Sequence, residues 1–507
     1  MNKQKFYITT PLYYVNSHPH LGHSYSTIVA DIINRYKKLF GFQTYFLTGT
    51  DEHGQKIVEA ANKDGKSPKE FADKISEEFK QMWPKLDIEY SQFIRTTADF
   101  HKKIVRDILR KVYEKGEMYF AEYEGLYCVG CERFLNETEL VDDNCPEHGT
   151  KPTLIKEGNY FFKMSKYQDW LIDYINKHND FIFPEQYKKE VLSFLKEPLN
   201  DLCISRPKSR LDWGIELPFD NKYVTYVWFD ALINYISALG YPDRDLFKIY
   251  WKYSHHIIGK DILKAHAVYW PTILKAIGLE PMQKLAVHGY WNIKNTKMSK
   301  SIGNVVNPLE LVNIFGSDGL RFLLISEMVF GRDADFRLDS FITSYNAHLA
   351  NNFGNLVSRV INFTIKNFDG KVPECKELTD IELVLQKKVI EKTNCIKNAL
   401  ESFQINEIAK NFLEISALTN QYFDKTEPWK IAKDDGQRAR LGSILYVCCD
   451  IIRIMNILIS PVMPNISLKL AKYLGYDSVK TEELDLNLLH PGQLMHKPTP
   501  RFPRIEQ

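Results

Sequence analysis

The chain has 507 residues, with 66 Lys and Arg against 64 Asp and Glu, a formal charge of +2, 44% apolar and 26% charged residues. That balance excludes disorder and suits about three globular domains. It also excludes a uniformly basic coat of the kind that binds DNA, so any RNA contact has to use local patches and shaped pockets.

Residues 5 to 50 read as strand, loop, helix, strand. FYITT predicts a first strand ended by Pro11. From Ser24, Ile28, Val29, Ile32, Ile33, Tyr36, Leu39 and Phe40 recur at helical spacing, and Gly41 supplies the stop. TYFLTGT predicts the second strand. Strand, helix and strand this close form the parallel crossover unit of a doubly wound, Rossmann-like sheet, whose ligands bind beyond the carboxyl ends of the strands. Pro11 to His23 and Asp51 to Gly54 are therefore expected at one site.

Residues 1–118 are expected to hold the first half of this α/β domain, and turn-rich residues 119–225 an insertion with a cysteine cluster. Strand signals return in residues 226–290, the second half. Residues 291–340 read as a linking region. Beyond Ser340 long helical periods predict an all-α bundle over 341–507, ending in an extended, proline-rich tail. The most apolar stretch there, ILYVCCDIIRIMNILI, is interrupted by Asp450, Arg453 and Asn456, which predicts a buried helix rather than a membrane span. With no secretory signal in view, the expectation is a cytoplasmic chain. Cys203, Cys375, Cys395, Cys448 and Cys449 are then reduced core residues.

The remaining cysteines carry a pattern. Cys128-x-x-Cys131 is followed by Cys145-x-x-His148, two pairs that can converge on one tetrahedral ion. Thiolate and imidazole donors suit Zn2+, and four protein ligands close the site, making it structural. His101, His178 and His348 lack such partners and read as surface or core histidines.

Two segments suit phosphate. His20 and His23, in His-Leu-Gly-His, share a face of the opening helical turn, where free N–H groups favour an anion and Gly22 permits close approach. Lys297 and Lys300, in Lys-Met-Ser-Lys-Ser, stand among small residues without apolar period, as in a mobile loop that brings ammonium groups to a triphosphate. A GxxxxGK[ST] loop is missing, which disfavours a P-loop ATPase.

HLGH after a first strand, KMSKS downstream and a helical C-terminal region resemble the class I aminoacyl-tRNA synthetases; the knuckle and pocket segments narrow the likeness to the methionyl-tRNA synthetases, over nearly the whole chain. The resemblance implies two steps: methionine attacks the α-phosphorus of ATP, accompanied by Mg2+, and the adenylate then acylates initiator and elongator tRNA. It assigns His20 and His23 to the reacting phosphorus, and Lys300, with Lys297, to the departing pyrophosphate. Asp261 of Gly259-Lys260-Asp261 goes to the ribose, and His288-Gly289 lies near the adenine. It assigns Leu12, Tyr14, Asp51, Trp228, Ala231, Leu232, Tyr235, Ile262, His266 and Trp270 to the methionine pocket. Trp228, Ala231, Leu232 and Tyr235 also fall on one helical face, and Ile262, His266 and Trp270 on another, a pattern that core packing alone would produce as well. Asn355, Arg359 and Trp429, with Asn351 as a helper, are assigned to the CAU anticodon. Some relatives carry two four-cysteine knuckles, whereas this chain has ligands for one, with His148 as the fourth. Some extend past the FPRIE-like end into a dimerising domain, so the expectation here is a monomer.

Overall fold

A computed structural model describes residues 3–129, 133–135, 139–146, 149–225, 228–293, 296–297, 305–477, 479, 484–499 and 502–506. The chain separates into two compact units. One comprises Met1–Ala30, Phe42–Pro84 and Ile88–Gly289; the other comprises Asp31–Gly41, Lys85–Asp87 and Tyr290–Gln507.

The first unit is built on a six-stranded parallel sheet. Its first crossover is β1 (Lys5–Tyr14), α1 (Leu21–Leu39) and β2 (Gln43–Asp51), followed by β3 (Gln92–Arg95) and α2 (Asp99–Glu114). Gly41, at φ 83°, ends α1 as its spacing predicts. Pro11 does not end the first strand. Between Thr9 and Leu12 the ladder to β2 shifts register, and a residue without an N–H is tolerated at such an irregularity.

The chain then forms a long antiparallel hairpin of β4 (Met118–Cys128) and β5 (Thr153–Phe162), paired from Met118↔Phe162 to Tyr127↔Thr153. It next lays down a two-residue strand, β6 (Ile182–Phe183). After the short helices α3 (Trp228–Leu232) and α4 (Asn234–Ser237) come β7 (Ser254–Gly259), α5 (Trp270–Ile277) and β8 (Lys284–His288). The sheet order is β3-β2-β1-β7-β8-β6. Part of the span expected as an insertion thus rejoins the main sheet, because β6 pairs with Leu285 and Ala286 of β8. Tyr7, Leu47, Ile94, Val105, Ile258 and Val287 lie in one buried core.

The second unit is mainly helical. After α6 (Pro308–Ser326), a ten-residue π-helix, Tyr345–Gly354, runs into α7 (Asn355–Asn367). There follow α8 (Asp380–Glu401), α9 (Ile405–Thr426), α10 (Pro428–Ile431), α11 (Arg438–Ile459) and α12 (Pro464–Tyr473). Every residue of α11 from Leu441 onward is buried. The helix is long and apolar enough to cross a membrane, yet it is the centre of this bundle. Its interrupting charges are satisfied inside: Arg453 bonds Asp450 at 2.8 Å and donates to the Asp485 carbonyl, while Asp450 accepts from the amides of Asn487 and Leu489.

Candidate active site

The sheet order places the crossovers from β1 toward β2 and from β7 toward β8 in opposite directions, which makes β1/β7 the topological switch point. These strands pair only at Tyr7, Ile8 and Thr9. Beyond the irregularity at Pro11, β1 follows β2 alone, with Leu12 opposite Gly49 and Tyr14 opposite Asp51. Gly49 has to be glycine, since a Cβ there would stand 2.0 Å from the Ile94 carbonyl oxygen. On the other side β7 ends at Gly259, in register with His288 at the end of β8. Leu12, Tyr14, Asp51, Gly259 and His288 therefore come to one edge of the sheet, and Asp261 follows Gly259 by two residues.

His20 and His23 open α1 with stacked rings, their centroids 3.6 Å apart. The amide of Gly22 donates to Nδ1 of His20 at 3.1 Å, and the amide of His20 donates to Nδ1 of His23 at 3.2 Å. An accepting Nδ1 leaves the proton of each neutral ring on Nε2. The backbone thus selects the same tautomer in both imidazoles, a pair of matched N–H donors at a helix N-terminus. His288 is fixed in the same way: its Nδ1 donates to the Gly289 carbonyl, so Nε2 accepts from the Ser26 hydroxyl at 2.7 Å. Burial pushes this imidazole below its ordinary pKa.

The aromatic wall has a directed hydrogen-bond chain of its own. His266 Nδ1 donates to the Ile262 carbonyl at 3.0 Å, so its Nε2 accepts from the Tyr235 hydroxyl at 2.8 Å. The single Tyr235 proton is spent on His266, so in this arrangement the hydroxyl oxygen is left as an acceptor only. Burial pushes His266 down to about 4, which keeps the ring neutral and able to accept. Beneath Tyr235 lies His256, stacked at 4.0 Å, which accepts from Trp270 Nε1 at 3.3 Å and pairs through Nδ1 with Thr9 Oγ1 at 2.9 Å. Sequence reasoning overlooked His256; its one signal was its place directly before the apolar pair Ile257-Ile258 of a buried strand.

The two helical stripes are less regular than their spacing suggests. Trp228, Ala231, Leu232 and Tyr235 span two short helices with Ile233 between them. Ile262, His266 and Trp270 run through a 3-10 turn, a π-helix at Ala265–Tyr269 and the start of α5. A π segment widens the turn, which brings side chains four apart onto the wall at different angles.

At the end of the long hairpin, Cys128 and Cys145 are both buried in one small cluster with Leu135. Cys131 and His148 lie outside the described residues. Lys297 stands in a two-residue strand, Thr296–Lys297, paired with Trp291–Ile293, rather than in an irregular loop. Lys300 lies outside the described residues.

In the second unit, Arg359 of α7 pairs with Asp424 at 2.6 Å and lies 5.0 Å over the Phe423 ring. Trp429 of α10 flanks the same ring, with centroids 6.2 Å apart, and is 39% exposed. Asn355 is exposed one turn before Arg359. Asn351 falls within the π-helix, and its side-chain oxygen accepts two hydrogen bonds from Arg504 of the tail.

Residues 6–151 and 137–361 match the family model of tRNA synthetases class I (M), and residues 372–507 match that of the anticodon binding domain of methionyl tRNA ligase. The methionine–tRNA ligase of Clostridium perfringens is 44% identical over 512 residues, covering 100% of this chain and 79% of that protein. That of Thermotoga maritima is 39% identical, over 99% and 80%. Among solved structures, Mycobacterium tuberculosis methionyl-tRNA synthetase in complex with methionyl-adenylate has a TM-score of 0.95 at 36% identity, covering 99% of this chain and 100% of that one. Its apo form has a TM-score of 0.88 at 34% identity, over 100% and 99%. Sequence and fold agree: the chain belongs to the methionyl-tRNA synthetase family.

Proposed function

We propose that the cleft at the β1/β7 switch point carries out the family's reaction, the ATP-dependent attachment of L-methionine to its tRNA through methionyl-adenylate, with the following division of labour. The methionine ammonium is taken by Asp51 at the end of β2. The thioether lies among Leu12, Tyr14, Trp228, Ala231, Leu232, Tyr235, Ile262, His266 and Trp270, where aromatic walls suit a polarisable sulfur. Adenosine is held by Gly259, Asp261, His288 and Gly289. The carboxylate then attacks the α-phosphorus and pyrophosphate departs. His20 and His23 present two N–H donors to the oxygens that gain charge, with Gly22 allowing close approach, and Lys297 and Lys300 hold the leaving group. Mg2+ accompanying ATP would supply positive charge against its phosphates. In the second step a terminal hydroxyl of the tRNA attacks the methionyl carbonyl and AMP departs.

Cys128, Cys131, Cys145 and His148 would hold one structural Zn2+. Among the described residues, the two buried thiols cluster with Leu135 and the half-buried Leu140, a small core that a metal ion would complete. When bound, the ion cross-links the end of the hairpin. Asn355, Arg359 and Trp429, with Asn351 nearby, would read a CAU anticodon by stacking and by hydrogen bonds to base edges. A monomer in the cytoplasm belongs to the same proposal, and sedimentation and cell fractionation read it out.

The observation that carries this reading is the pair of tautomer-matched imidazoles at the switch-point edge that also bears Asp51. Pyrophosphate exchange across a panel of amino acids tests it. Methionine should stimulate exchange best, and exchange driven best by leucine would overturn it. Lys300→Ala should lose exchange while still binding tRNA.

A further inference from the structure

Four polar side chains lie buried behind the methionine pocket, and none of them is given a role in the division of labour above. Asp230 has no accessible surface, nor has His101; Ser237 is 1% and His53 3% exposed. Oδ2 of Asp230 lies 2.6 Å from His53 Nδ1, Oδ1 lies 2.7 Å from His101 Nε2, and His101 Nδ1 lies 2.7 Å from Ser237 Oγ. An ionised carboxylate only accepts, so both imidazoles donate to it, and His101 Nδ1 shares a hydrogen bond with the Ser237 hydroxyl, which also reaches the Asn234 carbonyl at 3.3 Å. Burial pushes the Asp230 carboxyl up, but the two imidazoles outweigh it and hold the group below its ordinary value.

The connections matter more than the charges. His53 follows Asp51 by two residues, in a loop also held by Trp213, whose Nε1 donates to the Glu52 carbonyl at 2.5 Å. Asp230 sits in α3 between Trp228 and Ala231, and Ser237 ends α4 two residues after Tyr235. His101 stands in the first turns of α2, on its buried face. A buried apolar residue of similar volume would stabilise the fold about as well as a paired carboxylate. It would not fix the direction of the Asp51 loop relative to the helices that form the thioether wall.

We propose that Asp230 is a positioning residue for methionine, clamping the loop of the ammonium anchor to the helices of the side-chain pocket through His53 and His101. The inference rests on the pocket assignment above and adds what holds its two halves in register. The brace joins the Asp51 loop to α3 and α4, elements that carry residues assigned to methionine, so its loss acts on the amino acid selectively.

The test is pyrophosphate exchange with the full chain, measuring KM for methionine and for ATP separately. Asp230→Asn should raise the methionine KM tenfold or more, leaving the ATP KM within twofold and kcat within threefold. His101→Leu should behave alike, whereas His101→Gln, which keeps an N–H directed at Asp230, should return the methionine KM to within threefold of wild type. Should Asp230→Asn not fold, the His101 pair decides alone. A methionine KM within twofold of wild type in His101→Leu overturns the proposal. So do equal rises for methionine and ATP, or a failure of His101→Gln to rescue. The wild-type amino-acid preference tests the pocket assignment itself; the variant-to-wild-type ratios, taken with whichever amino acid is activated best, test the brace.

Discussion

Replacing Trp429 by alanine should separate recognition of tRNA from chemistry on methionine. The ring is 39% exposed and Phe423 lies against it, so room remains for one stacked base. A base stacked on an aromatic side chain contributes about 1–3 kcal/mol by alanine substitution. At about 1.4 kcal/mol per factor of ten, kcat/KM for tRNA should fall about 5- to 150-fold. Alanine also removes packing against Phe423 and loosens the contact on which Arg359 lies, which pushes the loss toward the upper end. Trp429→Phe keeps a π face and should lose less than about fivefold. The assay pairs aminoacylation at limiting tRNA with pyrophosphate exchange in the absence of tRNA. Acylation kinetics within twofold of wild type in Trp429→Ala, or exchange falling in parallel with acylation, would refute the reasoning.

Cys145→Ala should reduce bound zinc from about one ion per chain to a small fraction and expose the hairpin to proteolysis, with the ATP KM unchanged; undiminished zinc by elemental analysis would rule out this ligand set. His266, neutral in the fold with its pKa down to about 4, binds fewer protons than the unfolded chain between that value and about 6.5. Its contribution to stability, about 3 kcal/mol, is present above pH ~6.5 and lost as pH falls toward 4. Thermal unfolding of His266→Gln should therefore show a shallower acid-side slope than wild type, and parallel slopes would contradict this. Arg321, fully buried, donates to Asp31 at 2.6 Å and to the carbonyls of Leu86, Pro461 and Val462. Arg321→Met removes a buried cationic partner of Asp31 and should cost about 3–5 kcal/mol, seen as a lowered Tm that Asp31→Asn partly restores.

What the sequence revealed was local. The apolar spacing of α1, its glycine stop and β2 with Asp51 at its end were legible because each follows from periods within one segment. That Cys128 and Cys145 come together was legible because the spacing of the cysteine pairs is itself a signal. Pro11 was misread as a stop, since a proline's effect depends on which neighbour needs its missing N–H, and here the ladder shifts around it. The π segments were hidden because a four-residue spacing such as Ile262, His266 and Trp270 looks the same whether the turn is regular or widened. Ile182–Phe183 became a sheet strand through partners more than a hundred residues later, and two residues carry no period. His101 was passed over for the same reason. Its partners, Asp230 and Ser237, are remote in sequence, and only its place on the buried face of α2 distinguished it.

The seam between β1 and β7 comes apart just where a proline interrupts the neighbouring ladder, and that interruption is written into the covalent chain. The gap between their ends is therefore part of the sheet's own connectivity. An inhibitor shaped to it need not pry two strands apart, and rigid compounds should lose little by being rigid. Resistance would have to arise in the side chains of the walls, since closing the floor itself would mean rebuilding the first strand of the sheet.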